Sequence, residues 1–428
     1  MSDKRLGSSS GLTLVTDAGT AFVSSKFNSG HMVGDIKLAA LSDSDATNVT
    51  GTELVTNGTF DTDTSGWSFF GSTTLSVVSG ELQSAATGIG GPYQLITTVI
   101  GQTYTVSFDV STLGSNFEFW VGSSGEIVNQ TVTTTGTYSY TFTATAASTQ
   151  IYFRQVSAGT NLYDNISVRL AEEDRSVSGN GLQVFGTVTK TAVATGADLV
   201  AYSGFSTSNM LIQPYNPDLN VGTGDFCFMG WAKVTNNTLT STLFDYADSS
   251  STGRLEVVYL TSIVQVAIET SYLTFGAVPA NNTWAHIAAT RTNGQVSCYV
   301  NGELRGTQTK ANSIGSVNHK TWIGTNYLGN SNGGPSLALF RFSATAPTAE
   351  QIAKIYEDEK VLFQDGAQAT LYGSSDAVTA LAYDEDTELL HVGTSAGRSV
   401  FQGLRRVDNT TDAVGSCISA VNNLVAED

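Results

Sequence analysis

Residues 283–304 read TWAHIAATRTNGQVSCYVNGEL and contain two Asn-Gly pairs, Asn293-Gly294 and Asn301-Gly302. The flanking residues are mostly β-branched, aromatic or small apolar types. An Asn-Gly pair between such runs is the strongest short-range signal for a two-residue hairpin turn, because both turn positions need a positive φ. The segment therefore predicts two antiparallel strands and the start of a third.

The strand pattern continues on both sides of this segment, in residues 225–233, 320–324 and 337–342. After the last of these, Thr348 and Gln351 fit a capping box, which predicts a short helix from residue 349 to about residue 356. The charged residues that end this helix, at 357–360, are interpreted as a solvated face.

Together these features resemble a laminin-G-like, concanavalin A-type β-sandwich over residues 172–362. The resemblance is carried by a strand that ends in a Trp, a Trp-x-His strand, a Tyr-Val-Asn-Gly hairpin and the closing helix: Trp231, Trp284, His286 and residues 299–302. It implies a lectin-type fold in which His286 has a structural role.

The composition predicts an all-β chain. Charged residues make up only 14% of the 428 residues, and Gly, Ser, Thr and Asn dominate the polar positions. This composition suits short strands and tight turns. We expect two β-sandwich (jelly-roll) domains in tandem, an extended N-terminal arm and a small C-terminal β-hairpin oligomerisation unit. The boundaries of these four parts are 1–50, 51–170, 171–365 and 366–428.

The charge and hydropathy of the chain exclude some partners. The formal net charge of -18 disfavours a nucleic-acid partner. No run approaches the ~18 apolar residues of a membrane helix, and the N-terminus lacks the apolar core of a signal peptide. We therefore expect no membrane insertion and synthesis in a cytoplasm, with Cys227, Cys298 and Cys417 reduced.

Residues 51–170 open with Asn57-Gly58-x-Phe60 and close with YDNISV at 163–168. These two ends resemble the jelly-roll carbohydrate-binding modules of the galactose-binding-like superfamily. The resemblance implies sugar binding, and a structural calcium with Asn57, Asp61 and Asp164 as candidate ligands. Residues 61–66 are alternatively a turn built by Asx hydrogen bonds.

Sugar binding needs exposed aromatic faces beside a few hydrogen-bonding groups. From the aromatic residues of this module we select Trp67, Tyr93 and Trp120 as candidate sugar contacts. Alternation along the strand places Trp120 and Glu118 on one face and residues 117, 119 and 121 on the other. The alternative is that these aromatic side chains fill the core, as most do in a sandwich.

The C-terminal unit contains a predicted hairpin, residues 378–383 and 389–394, and a further strand at 399–404. It resembles a single β-propeller blade, which has unpaired edges and an apolar face. We assume that no other part of the chain covers this face. On that basis the sequence predicts a homo-oligomer, most simply a homotrimer, joined through this unit.

No catalytic motif is evident. Glucanases of the concanavalin type place carboxylates two residues apart on one strand. The one close match is DEDTE at residues 384–388, which we interpret as a hairpin turn. There is no Gly-x-Ser-x-Gly elbow and no phosphate-binding loop. The chain is therefore predicted to have no catalytic residues and not to be an enzyme.

With these features the chain resembles a bacteriophage virion appendage, such as a tail fibre or capsid fibre, that binds host-surface glycans without cleaving them. We expect assembly in the host cytoplasm and attachment to other virion proteins through residues 1–50. Two alternatives remain: a polysaccharide depolymerase on the same folds, and a purely structural decoration protein of the capsid or tail.

Overall fold

The computed structural model describes residues 4–8, 11–16, 18–123, 125–260, 263–277, 280–330 and 334–428. The fold is almost entirely β, with 55% of residues in strands and 4% in helix. The prediction of an all-β chain with jelly-roll domains is therefore confirmed. Residues 1–3, 9–10 and 17 of the predicted N-terminal arm lie outside the described residues.

The N-terminal segment forms strands of its own. Three of them make an antiparallel sheet: β1 Lys4–Ser8, β2 Gly11–Thr16 and β3 Gly19–Val23. Two more belong to the second sandwich: β4 Ile36–Ala40 and β5 Val49–Gly51.

The first sandwich is a jelly roll of eight strands. These are β6 Ser68–Val78, β7 Glu81–Thr97, β8 Thr103–Leu113, β9 Phe117–Gly122, β10 Glu126–Val132, β11 Gly136–Thr143, β12 Ser148–Gln155 and β13 Gly159–Glu172. One sheet has the order β6-β7-β12-β9-β10 and the other the order β11-β8-β13. Aromatic side chains including Phe108, Phe119 and Phe153 fill the space between the sheets.

The second sandwich begins directly after the jelly roll. Its strands are β14 Leu182–Ala192, β15 Val200–Ser203, β16 Met210–Gln213, β17 Phe226–Val234, β18 Ser241–Ala247, β19 Leu255–Leu260, β20 Ile263–Ile268, β21 Ser271–Ala277, β22 Ala285–Thr292, β23 Gln295–Val300, β24 Glu303–Thr309, β25 Lys320–Ile323 and β26 Pro335–Ser343. One sheet runs β21-β20-β19-β18-β25-β16-β14. The facing sheet runs β24-β23-β22-β17-β26.

Both predicted Asn-Gly turns are present in this second sheet. Asn293 and Gly294 have φ values of 50° and 77°, and Asn301 and Gly302 have values of 53° and 78°. Two successive positive φ values match the right-handed twist of the paired strands, which fixes the register of β22, β23 and β24. The hairpin prediction is confirmed.

The predicted helix is α1, Ala349–Glu359, and both hydrogen bonds of the Thr348–Gln351 capping box are present. The interpretation of its charged end as solvated is wrong for Glu359, which is fully buried. Arg341 pairs with Glu359 at 2.5 Å, and the Trp231 indole donates to it at 2.8 Å. Burial raises the pKa of Glu359, but the charge and hydrogen bonds of Arg341 act in the opposite direction. The pKa is lowered overall, so the carboxylate stays ionised.

The N-terminal segment and the two sandwiches are joined by shared strand pairings. The last residues of β13 pair with β14, so this strand runs from one sandwich into the other. Strand β4 pairs with β26, although about 300 residues separate them in the sequence. The His31 backbone N–H also donates to the buried Glu359 carboxylate, at 2.9 Å.

The C-terminal unit has a four-stranded sheet and a separate hairpin. Its strands are β27 Val378–Asp384, β28 Leu389–Thr394, β29 Gly397–Gln402, β30 Arg405–Thr410, β31 Ile418–Val421 and β32 Leu424–Glu427. The hairpin β27–β28 and the strand β29 agree with the sequence prediction.

The prediction that no part of the chain covers the apolar face of this unit is wrong. Val392 and Phe401 are fully buried in one cluster with Leu12 and Leu14 of β2. The N-terminal strands therefore cover this face within a single chain. The oligomeric state itself stays a prediction.

The same contacts show that the described part of the predicted N-terminal arm is packed against its own chain. Leu12, Leu14, Ala21 and Val23 are each at most 1% exposed. The buried residues alternate along β2 and β3, but these strands are only six and five residues long, and their apolar partners lie far away in the sequence. Its contact with other virion proteins stays a prediction.

The structure has all three cysteines as free thiols, with Cys227 and Cys298 buried and Cys417 exposed. Burial raises the pKa of Cys227 and of Cys298 to about 12. No helix in the described residues is long and apolar enough to span a membrane.

Loss of the buried Arg341–Glu359 ion pair is predicted to lower the stability of the fold strongly. We expect Arg341→Ala to lower the free energy of unfolding by about 3–5 kcal/mol, because it leaves the Glu359 carboxylate buried without a counter-charge. Urea unfolding followed by tryptophan fluorescence measures this effect. Lys360→Ala is the control, since it removes an exposed pair with Glu357 at the C-terminal end of this helix and should leave the midpoint unchanged. Equal midpoints for the two variants would contradict the assignment.

Candidate functional site

The outward face of the five-stranded jelly-roll sheet carries one side chain from each strand in a straight row. In strand order the row consists of Ser68, Tyr93, Tyr152, Trp120 and Asn129. Neighbouring residues in a strand point to opposite faces. Because Phe119 and Phe153 are fully buried in the core, the row lies on the opposite, outer side.

Four aromatic side chains form a cluster on this side, in which Tyr152 contacts each of the other three. The ring of Tyr152 is edge-on to those of Phe70, Trp120 and Tyr93, at centroid distances of 4.4, 5.5 and 6.4 Å. All four side chains are half-buried. We call this set the aromatic face. Such edge-to-face contacts hold rings in place and stabilise the cluster beyond simple area burial.

Gly91 of β7 allows close pairing with β12 next to the aromatic face. Gly91 lies opposite Phe70 in the register. A Cβ atom at Gly91 would be 1.8 Å from the carbonyl oxygen of Phe153, so no larger residue fits between the strands.

Charged and polar side chains flank the aromatic face on both sides. On one side Arg154 pairs with Glu118 at 2.6 Å, and its guanidinium lies 5.6 Å from the centroid of the Trp120 ring. On the other side, Gln150 lies two residues before Tyr152 on β12, so it points to the same face, and it is paired with Gly122 of β9. The prediction that Trp120 and Glu118 share a face is confirmed by their common side of β9.

A cavity of 310 Å³ lies at the Trp120 end of this face. Its lining residues are Trp120, Val121, Gly122, Ser123, Gly125, Glu126, Gln150 and Tyr152. Glu126 also accepts a hydrogen bond from the Asn129 side chain at 2.7 Å. The cavity therefore combines two aromatic rings with an amide and a carboxylate.

Trp120 differs from the other four tryptophans in its indole N–H. Each of the others donates to a protein oxygen: Trp67 to Asn57, Trp231 to Glu359, Trp284 to Val193 and Trp322 to Ala247. Within the described part of the chain, Trp120 Nε1 is buried and has no acceptor. An unpartnered buried donor is costly, and it is a common feature of sites that a ligand or water completes.

The structure places two of the three predicted sugar contacts, Tyr93 and Trp120, in the aromatic face. The prediction for Trp67 is wrong, because this side chain is buried. Its ring packs in the core against Phe60 at 5.6 Å and Phe153 at 6.1 Å. Trp67 follows a turn rather than lying within an alternating strand, so its sequence context does not show which way it points. Tyr152, the central residue of the aromatic face, is not among the predicted sugar contacts, although the alternation along β12 places it outward.

The predicted calcium ligands lie in two adjoining segments. Gly58 accepts a hydrogen bond from the Ile166 N–H at 2.9 Å, which holds the loop 57–61 against β13. Asp164 Oδ1 is buried without a hydrogen-bond partner in the described chain. Burial raises the pKa of Asp164, and the charges of Glu81, Asp109 and Asp61 contribute in the same direction. An orphaned carboxylate oxygen near a second carboxylate fits a hard cation.

The other two candidate ligands are partly engaged within the loop. Asn57 donates through its side-chain nitrogen to Asp63 at 2.8 Å, and Asp61 accepts from Thr59 at 3.0 Å. Among the described residues, no group of three or more His, Cys, Asp and Glu side chains is arranged to hold a metal. A calcium site here therefore depends on Asp61, Asp164 and the amide of Asn57.

The second sandwich contains one prominent pair of carboxylates. Asp245 and Glu256 face each other across β18 and β19 and are bridged by Arg254, at 2.8 Å to each. They are 0% and 4% exposed, so the pair does not line an open groove. Burial raises the pKa of Glu256 to about 7. Residues 385–388 form a turn, as predicted.

Comparison with protein families gives one match. Residues 206–353 match the model of the concanavalin A-like lectin/glucanases superfamily. This range lies within the second sandwich and covers about a third of the chain. No curated protein sequence matches.

Solved structures with detectable similarity to this chain include the following three. The receptor-binding domain of botulinum neurotoxin C/D mosaic serotype is 14% identical and covers 54% of this chain and 59% of its own length, with a TM-score of 0.37. A structure described as CBM4 is 21% identical over 27% of this chain and 97% of its own, with a TM-score of 0.24. Domain 4 of AbnA, an extracellular GH43 arabinanase from Geobacillus stearothermophilus in complex with arabinotriose, is 15% identical over 43% and 92%, with a TM-score of 0.34.

Proposed function

We propose that this chain binds glycans without cleaving them, and that the aromatic face of the jelly roll is the binding surface. The observation that carries the proposal is the contact of four aromatic rings on one sheet face, flanked by Gln150, Glu126 and the Arg154–Glu118 pair. Sugar rings present C–H groups that pack on aromatic rings and hydroxyls that need polar partners. Binding sites generally combine apolar walls with a few placed polar groups in this way.

The geometry supports binding with little rearrangement. Tyr152 is held by three rings, and Arg154 is held by its ion pair with Glu118. Side chains that are already fixed lose little conformational entropy when a ligand arrives. The match of the second sandwich to the concanavalin A-like lectin/glucanases superfamily supports carbohydrate as the class of ligand.

Removing the aromatic rings should weaken glycan binding at this face. We expect Trp120→Ala and Tyr152→Ala each to raise the Kd at least about tenfold, equivalent to about 1.4 kcal/mol. A glycan array identifies the ligand, and titration calorimetry on the full chain measures the Kd. Phe69→Ala is the matched control, because Phe69 is 54% exposed and adjacent to Phe70 but belongs to the other face of β6. Equal affinities for all three variants would contradict the proposal.

We further propose that the protein is a bacteriophage virion appendage, a tail or capsid fibre that adheres to host glycans. Three free thiols agree with assembly in a reducing host cytoplasm. The proposal includes a homotrimer, whose several sites would strengthen weak sugar binding. Attachment to other virion proteins would use the outer surface of residues 1–50, for example around Phe22, which is 36% exposed.

Purified phage particles test this assignment. Mass spectrometry should find the chain in particles that survive density-gradient purification, and antibodies against the jelly roll should label the particle surface. Light scattering of the isolated chain should give a mass of three copies. Absence from the particles would contradict the virion assignment, and a monomer would contradict the trimer.

We also propose that calcium binds between the loop 57–61 and β13, held by Asp61, Asp164 and the Asn57 amide. A ligand that binds only the folded state stabilises it by about 2.7 kcal/mol at one hundred times its Kd. Calcium should therefore raise the melting temperature relative to EDTA. We expect Asp164→Asn to lose this increase, with Asp412→Asn, an exposed carboxylate in the C-terminal unit, as the control. A calcium effect that persists in Asp164→Asn would place the ion elsewhere.

A further inference from the structure

A buried lysine meets a carboxylate where the N-terminal segment, the jelly roll and the second sandwich join. Lys190 of β14 is 5% exposed, and its Nζ lies 2.5 Å from Oδ2 of Asp43, in the loop between β4 and β5. Both residues line a cavity of 430 Å³. Arg175 lines the same cavity but pairs with Glu173, at 2.7 Å. Lys190 is therefore the cation that contacts Asp43.

The backbone holds both of these residues in place. Lys190 is paired with Tyr202 across β14 and β15, and its backbone N–H donates to Asn48 Oδ1 at 3.1 Å. The Asp43 carbonyl accepts from the Val200 N–H at 3.0 Å. Two groups fixed in contact react as if each were present at a very high concentration, because the entropy of bringing them together is already lost.

The second carboxylate oxygen of Asp43 faces two backbone donors. Its Oδ1 accepts from the N–H groups of Ser44 and Asp45, at 2.7 and 2.9 Å. Fixed donors of this kind stabilise the negative charge that develops on an oxygen when a nucleophile attacks the adjoining carbon. The other oxygen, Oδ2, lies beside the lysine and is the one placed to leave.

A second carboxyl group, Glu172 at the end of β13, lines the same cavity. Its Oε2 accepts from the Tyr202 hydroxyl at 2.6 Å, and Lys190 Nζ lies 5.5 Å from the centroid of the same ring. Burial raises the pKa of Glu172 above its usual range, although the charge of Lys190 and the hydrogen bond from Tyr202 act in the opposite direction. A carboxyl group with a raised pKa is suited to accepting and returning protons.

We propose that Lys190 and Asp43 condense to an intramolecular isopeptide bond, with Glu172 as the proton carrier. Glu172 takes a proton from the Lys190 ammonium, and the neutral amine attacks the Asp43 carboxyl carbon. As the C–N bond forms, the negative charge moves to Oδ1. Two of the three ammonium protons reach Oδ2, which leaves as water when its C–O bond breaks. The third proton stays on the amide nitrogen, so no other reactant is consumed.

The buried setting favours the amide over the ion pair. Taking two charges out of water is expensive, and replacing a buried ion pair with uncharged groups of similar volume is often neutral or stabilising. The bond joins positions that are 147 residues apart. A cross-link over so long a loop restricts the unfolded chain. It also ties the N-terminal segment to the second sandwich even when β4 separates from β26.

The intact mass of the full chain, measured after denaturation under reducing conditions, tests the proposal directly. It should be lower than the sequence mass by one water molecule, and a protease digest should contain a branched peptide that joins Asp43 to Lys190. Lys190→Arg keeps the positive charge and should restore the full mass, because a guanidinium is a poor nucleophile. Lys37→Arg is the matched control, since Lys37 pairs with Asp35 at the surface and should leave the water loss in place.

Glu172→Gln tests the proton carrier. Its amide oxygen can still accept from the Tyr202 hydroxyl but does not take up a proton, so this variant should keep the wild-type circular dichroism spectrum and show the full mass. A full mass for the wild type, or a water loss without the branched peptide, would overturn the isopeptide bond. A branched peptide that persists in Glu172→Gln would overturn the role of Glu172. The wild-type measurement needs no variant to fold, and none of these results depends on glycan binding.

Discussion

The register between β7, β12 and β9 is the constraint on which both the jelly-roll core and the aromatic face depend. Side chains alternate between the two faces of a strand, so a slip of one residue would move Phe153 and Phe119 into solvent and Tyr152 and Trp120 into the core. Burying one Phe contributes about 1.5–3 kcal/mol, and several aromatic side chains share this core. The core therefore fixes the register, and the register fixes the spacing of the outer rings.

Strand pairings and buried contacts also join the separate parts of the chain. Strand β13 leaves the jelly roll and pairs with the first strand of the second sandwich, so the two sandwiches share a continuous backbone ladder. The N-terminal segment adds β4 to the second sandwich and covers the C-terminal unit with β2 and β3. Arg341 and Glu359 anchor this junction by a buried ion pair that is disrupted if either partner is lost. The proposed binding surface is in this way presented on a single connected scaffold.

Local signals in the sequence were sufficient for the all-β class, both Asn-Gly hairpins and the capped helix, because each depends on residues within one turn. The outward direction of Trp120 followed from strand alternation for the same reason. Trp67, Glu359 and the N-terminal strands were not predicted correctly, because their environments are set by partners far away in sequence. No local pattern shows that Arg341 neutralises Glu359, or that Leu12 meets Phe401 in one cluster.

The indole N–H signals of the tryptophans test the central claim most directly. Of the five, Trp120 alone lacks a protein acceptor within the described chain, whereas the Trp67 indole is held in the same domain's core. In a chain labelled with ¹⁵N-tryptophan, titration with the glycan found on the array should shift the Trp120 signal and leave the Trp67 signal in place. Glycan binding that leaves the Trp120 signal unchanged would contradict the account.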